Sequence, residues 1–281
     1  MPKLQLRTVT QAICGQMTSD GAGVKIRRLI GGNIISEQDP FLLFDEFLSD
    51  DPNDYIGGFP DHPHRGFETV TYMLAGKMRH QDNQGNSGLL EAGSVQWMTA
   101  GKGVVHSEMP EQENGLMWGF QLWINLPAKS KMIPTRYQDI PPDNIPEVRH
   151  HNGTVVRVIA GTFEDVNGPV HGIDAEPLYL DVRLCSATCL EIPIPPTHSA
   201  FAYCYGGKVM ISEKSIKKGE LVSLSEGDLI SVNACSISSQ DCLIVVAGKP
   251  FDEPIVRYGP FVMNTREEIQ QAIHDAQNGL I

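Results

Sequence analysis

The sequence has no cluster of Lys and Arg. Its densest basic spots, KIRR at 25–28 and KSIKKGE at 214–220, are short and read as solvated loops. Over 281 residues the formal net charge is −12. A nucleic-acid binder carries a basic footprint, so direct contact with DNA or RNA is not expected. No stretch approaches the roughly 18 apolar residues of a membrane-spanning helix, so no membrane role is expected. The opening run, MPKLQLRTVTQAICGQ, has no apolar core of signal-peptide length. The chain is therefore expected to stay where it is made, in the cytoplasm. Its cysteines, Cys14, Cys185, Cys189, Cys204, Cys235 and Cys242, form no CxxC pair. Reduced, mostly buried thiols are expected in place of a disulfide or zinc framework.

Long helical patterns are scarce too, and what replaces them is strand. VTYML (70–74), SVQWM (94–98), LMWGFQLWINL (116–126), VVRVIAG (155–161), LYLDVRL (178–184), SAFAYCY (199–205), GDLISV (227–232) and CLIVVAG (242–248) are bounded by Gly, Pro, Asn or Asp. Many short strands at even spacing indicate an all-β sandwich or barrel. The length suggests two domains, at roughly 100–200 residues each. The proline-rich stretch 125–148 reads as the connection between them. Only NTREEIQQAIHDAQNG (264–279) has clear helical periodicity. Thr265 and Glu268 there fit a capping box, Gly279 fits a stop, and the helix is expected to pack outside a sheet.

The two halves share a pattern. ETVTYMLAGKMRHQ followed by LLEAGSVQWM parallels SAFAYCYGGKVMIS followed by LVSLSEGDLISV. This reading aligns Gly76-Lys77 with Gly207-Lys208 and Gly93 with Gly227, and predicts a duplicated β-domain.

The chemistry concentrates in the first half. In DHPHRGFETV (61–70), His62 and His64 lie two apart, and strand alternation puts them on one face with Pro63 on the other. In AGKGVVHSEMP (100–110), His106 and Glu108 are also two apart. If the two segments are neighbouring strands, three imidazoles and a carboxylate converge. That donor set suits a first-row divalent metal, and four protein ligands on an octahedral ion leave two positions open, as in non-haem Fe(II) enzymes. Glu68, four residues after His64, is a competing carboxylate that alternation also permits. Gln121 reads as a hydrogen-bonding neighbour of the site or as a satisfied interior amide. Trp97 and Phe59 are candidates for the pocket wall, with core packing the simpler expectation. His80, His150, His151, His171 and His274 sit in polar contexts and are expected at the surface. Arg65 should point away from the metal and pair with an acid such as Asp61.

The runs GGFPDHPHRGFETVTYMLAG, GSVQWMTAGKGVVHSEMP and GFQLWINLP, with the tail AGKPFDEPIVRYGPFVMNT, resemble the pirin family of the cupin superfamily over nearly the whole chain. The resemblance implies an all-β bicupin: two tandem jelly-roll barrels with a short C-terminal helix at 265–278. Residues 1–135 would be the metal-binding barrel and 136–281 a barrel without metal ligands. It implies His62, His64, His106 and Glu108 as ligands of one Fe(II), other divalent transition metals being acceptable, and it leaves Glu68 out. On the ungapped alignment, the equivalent positions of the second half are Pro193, Pro195, Gln240 and Cys242, which make no site.

The implied activity is that of a quercetin 2,3-dioxygenase. A flavonol or catechol-like molecule and dioxygen would be the substrates, with Glu108 also serving as catalytic base and carbon monoxide leaving. The alternative implied by eukaryotic pirins is an iron-dependent, redox-sensing regulator that binds a transcription factor or metabolic enzyme. A monomer is expected, because each barrel already has a partner.

Overall fold

The computed structural model describes residues 4–236 and 240–281. They form two compact units. One contains Gln16–Pro142 and Phe251–Ile281; the other contains the segment up to Gly15 and Asp143–Pro250.

In the first unit a seven-stranded antiparallel sheet runs in the order Arg136–Ile140, Val95–Thr99, Phe67–Ala75, Met117–Asn125, Phe41–Ser49, Val24–Ile30, Gln16–Asp20. A four-stranded sheet runs Phe59–His64, Val104–Pro110, Met78–Asp82, Ser87–Leu90. Val24, Ile26, Phe47 and Met73 of the first sheet share a buried cluster with Met78 and Leu90 of the second, so the sheets pack face to face. This is the jelly-roll solution to covering two apolar faces. Gly119 makes one close approach: a Cβ there would lie 2.4 Å from the Phe47 ring, so only glycine lets that ring settle on the sheet.

The second unit repeats the plan. Its large sheet runs Val9–Cys14, Glu220–Leu224, Ser199–Gly206, Asp241–Gly248, Leu178–Leu184, Val155–Ala160, Glu147–Arg149, and its small sheet runs Cys189–Pro193, Leu229–Ala234, Lys208–Ile211, Lys214–Lys217. The registers match Gly76-Lys77 to Gly207-Lys208, as the sequence suggests. Gly93 matches Gly219, however, and Gly227 matches Gly103. The ungapped alignment slips by a strand because the hairpin between these landmarks is shorter in the second half. In the corrected register His62, His64, His106 and Glu108 correspond to Ile192, Ile194, Ile230 and Val232. All four are buried within one aliphatic cluster. Hydrocarbon side chains offer no donor to a metal, and each contributes about 1.5–3 kcal/mol by burial.

Two expectations about organisation need correcting. The stretch 125–148 is not a bare connection: Arg136–Ile140 and Glu147–Arg149 are edge strands of the two large sheets. Prolines suit edges, where a missing N–H is tolerated, and they mask the short strands between them. A single cut after residue 135 also misses an exchange of ends. Val9–Cys14 pairs with Glu220–Leu224 in the second unit, and the C-terminal segment belongs to the first. The helix spans Arg266–Gln277 and carries the expected capping box, with Thr265 Oγ1 accepting from the Glu268 N–H at 3.2 Å and Glu268 Oε2 accepting from the Thr265 N–H at 2.9 Å. Its Ile269 and Ala272 pack on Phe261 and Met263 of the hairpin Val256–Tyr258/Phe261–Met263.

Candidate metal centre and its pocket

Strands Phe59–His64 and Val104–Pro110 are antiparallel neighbours, with His62 directly opposite His106 and His64 opposite Val104. Alternation then turns His62, His64 and His106 to the interior. One ligand atom from each of the three lies within 4.8 Å of the others. The His62 and His64 Nε2 atoms are 3.0 Å apart, and His62 Nδ1 is 2.8 Å from the Pro60 carbonyl oxygen. Donation from Nδ1–H to that carbonyl leaves His62 Nε2 as a lone pair directed at its neighbour. His106 Nε2 is buried and has no partner in the protein. Burial lowers the pKa of His64 and His106 well below the usual histidine value, and the neighbouring imidazoles push in the same direction. Neutral, clustered imidazoles with an orphaned buried nitrogen fit a transition-metal ion.

Glu108, also buried, follows on the same strand after a β-bulge and lines the same cavity. Its oxygens are held from the large sheet. Gln121 Nε2 donates to Oε2 at 3.2 Å, while Thr71 Oγ1 lies 2.9 Å from Oε1. Thr71 Oγ1 is also 2.7 Å from Gln121 Oε1, so its single proton serves one acceptor at a time. Gln121 is thus the neighbour that orients Glu108.

Other residues depart from expectation. His80 is buried, not superficial, and its Nδ1 lies 3.2 Å from His106 Nδ1. A His106 Nδ1–H donating to His80 keeps the His106 Nε2 lone pair free for a metal. Strand alternation in MRHQD carried this signal, since Met78 and His80 face inward together. Glu68 accepts from Trp97 Nε1 at 3.2 Å and from Thr99 Oγ1 at 2.6 Å, which engages its carboxylate along the sheet. Arg65 does turn away from the imidazoles, but its Nη1 pairs with Asp275 at 2.7 Å and its Nε donates to the Lys102 carbonyl. A partner over 200 residues away leaves no local trace in the sequence.

The His62 and His64 imidazoles open onto a cavity of about 360 Å³, while His106 is buried and is not part of its lining. Phe59 is part of its wall; Trp97 is buried against Glu68 instead. Across the floor, Thr71, Gln121, Asp45 and Arg28 lie side by side on four adjacent strands. Apolar residues flank this polar row, Phe47 and Ile26 on one side and Trp123 and Leu43 on the other. Asp45 receives a two-pronged contact from Arg28, at 3.1 and 2.7 Å. Burial nevertheless pushes its pKa up to about 6, outweighing the lowering by Arg28. At the mouth, Arg257 lies 4.8 Å from the Trp123 ring centre and donates to the Leu42 carbonyl at 3.3 Å.

Comparison with known proteins agrees with this architecture. The Pirin family matches residues 23–124, and the Pirin C-terminal cupin domain matches residues 179–281. A pirin-like protein of Caulobacter vibrioides is 46% identical over 98% of this chain and 99% of its own. Human pirin is 40% identical over 97% of this chain and 93% of its own. Among solved structures, a quercetin 2,3-dioxygenase from Acinetobacter baumannii aligns with a TM-score of 0.89 and 34% identity, covering 98% of both chains. With both barrels matched and likeness extending end to end, this chain belongs to the pirin family.

Proposed function

We propose that the chain is a metal-dependent dioxygenase that opens a flavonol ring, as a quercetin 2,3-dioxygenase does. The observation that carries this reading is the clustered trio His62, His64 and His106, the first two of which line an aromatic-walled cavity. The 34% identity to the Acinetobacter baumannii quercetin 2,3-dioxygenase supports it.

The proposed holders of Fe(II) are His62, His64, His106 and Glu108. When bound, the metal supplies Lewis acidity toward the flavonol oxygens and the redox capacity that dioxygen chemistry requires. Glu108 is the group placed to accept the flavonol hydroxyl proton, since its carboxylate lines the cavity. Gln121 and Thr71 fix its orientation. Phe47, Met78 and Trp123 shield the substrate from water. Overall, one dioxygen enters the cleaved product and one carbon leaves as carbon monoxide. Iron-loaded protein should consume dioxygen on addition of quercetin and release carbon monoxide in equal amount. No uptake with any flavonol would contradict the proposal.

A further inference from the structure

Three charged residues of the cavity lie outside the machinery described so far; Asp20 is engaged by Arg28 at 2.8 Å, which leaves Asp45 and Arg257 to consider. Asp45 projects into it from the strand next to Gln121, one inter-strand spacing beyond the residue that holds Glu108, or about 5 Å. Arg257 reaches it from the C-terminal hairpin. Arg257 stacks on Trp123 and donates to one backbone carbonyl, and no carboxylate lies within ion-pair distance of it among the described residues. Asp45 is held rigidly by Arg28 from behind and has lone pairs to spare, because a carboxylate accepts about four hydrogen bonds. The indole N–H of Trp123, buried between them and His64, also has no acceptor in the protein.

We infer that Asp45 and Arg257 form a recognition pair for a substrate hydroxyl that the histidines do not engage, with that phenolic hydroxyl donating to Asp45 and accepting from Arg257. This rests on the flavonol-dioxygenase reading and specifies its substrate class as polyhydroxylated. A phenol suits the pair because it is donor and acceptor at one atom, so one hydroxyl satisfies both residues. Its ring fits the apolar strips on either side of the polar row, between Phe47 and Trp123. A ligand without that hydroxyl would strip water from a carboxylate and a guanidinium and return nothing to them.

The test is anaerobic titration calorimetry on the metal-loaded full chain with two ligands. Quercetin carries distal hydroxyls; 3-hydroxyflavone keeps the 3-hydroxy-4-keto pair and lacks every other hydroxyl. The wild type should prefer quercetin by about tenfold or more. Asp45→Asn and Arg257→Gln should each bring that ratio to within about twofold of unity. Asp45→Asn also weakens the contact with Arg28, so Arg257→Gln provides the variant independent of that ion pair. Retention of the preference in both variants, or equal weakening of both ligands, would overturn the inference while leaving the dioxygenase reading intact. Failure of the wild type to bind either flavonol would overturn both.

Discussion

His80 bears on the proposed metal centre although it is not one of the proposed ligands. The His106 ring has two nitrogens, and only one of them can carry the proton if the other is to be a ligand. His80 Nδ1, at 3.2 Å, can accept from a His106 Nδ1–H, and that tautomer leaves the lone pair on the buried Nε2. Replacing His80 by Leu should weaken metal affinity by about 10–100-fold while the fold persists, as measured by competition with a chromophoric chelator. Unchanged affinity would mean that His106 is oriented by packing alone. Strand alternation made the grouping of His62, His64 and His106 legible in the sequence; it left Glu108 and Glu68 both open, and only the resemblance to pirins chose between them. His80 obeys the same alternation, but a polar setting between Arg79 and Gln81 disguised it. Asp45 and Arg257 were not legible at all, because only the folded chain brings residues 45 and 257 to one cavity.

At the scale of elements, the segment HPHRG does two jobs in five residues. His62 and His64 face the cavity. Arg65 and Gly66 then fasten the C-terminal segment, through the Arg65–Asp275 pair and a close approach of Gly66 to Val262. Lys131 completes the fastening, its Nζ donating to the Gly66 and Val262 carbonyls and to Asn125 Oδ1. Gly66 has φ +87°, and a Cβ there would sit 2.0 Å from the Val262 oxygen. Gly85 has a similar φ of +90° with nothing within 4 Å of its Cβ position. Gly85→Ala should therefore cost about 1 kcal/mol from backbone strain alone. Gly66→Ala should cost at least about 2 kcal/mol more in urea denaturation, because the whole segment must shift. Equal costs would mean that the segment yields freely. The sequence disclosed the helix of this segment through its capping box and its apolar spacing. It did not disclose that the helix docks on the first barrel, since that depends on pairings between residues 65–66 and 260–275.

Across the whole molecule, one β-plan appears twice with opposite interiors. Where the first barrel places His62, His64, His106 and Glu108, the second places Ile192, Ile194, Ile230 and Val232 in a continuous aliphatic core. The duplication itself was visible in the recurring Gly-Lys turn. The correct register was not, because hairpins of unequal length shift every later strand, and only the hydrogen-bonded pairing reveals the shift. A single metal centre built on the imidazoles of the first barrel is what the proposed chemistry requires. Elemental analysis of the purified protein, beside His62→Ala and His106→Ala, tests it most directly. The wild type should hold about one transition-metal ion per chain, and both variants should lose nearly all of it with the fold retained. A wild-type metal content that survives both substitutions, or a protein that takes up no metal even when loaded anaerobically with iron, would contradict it.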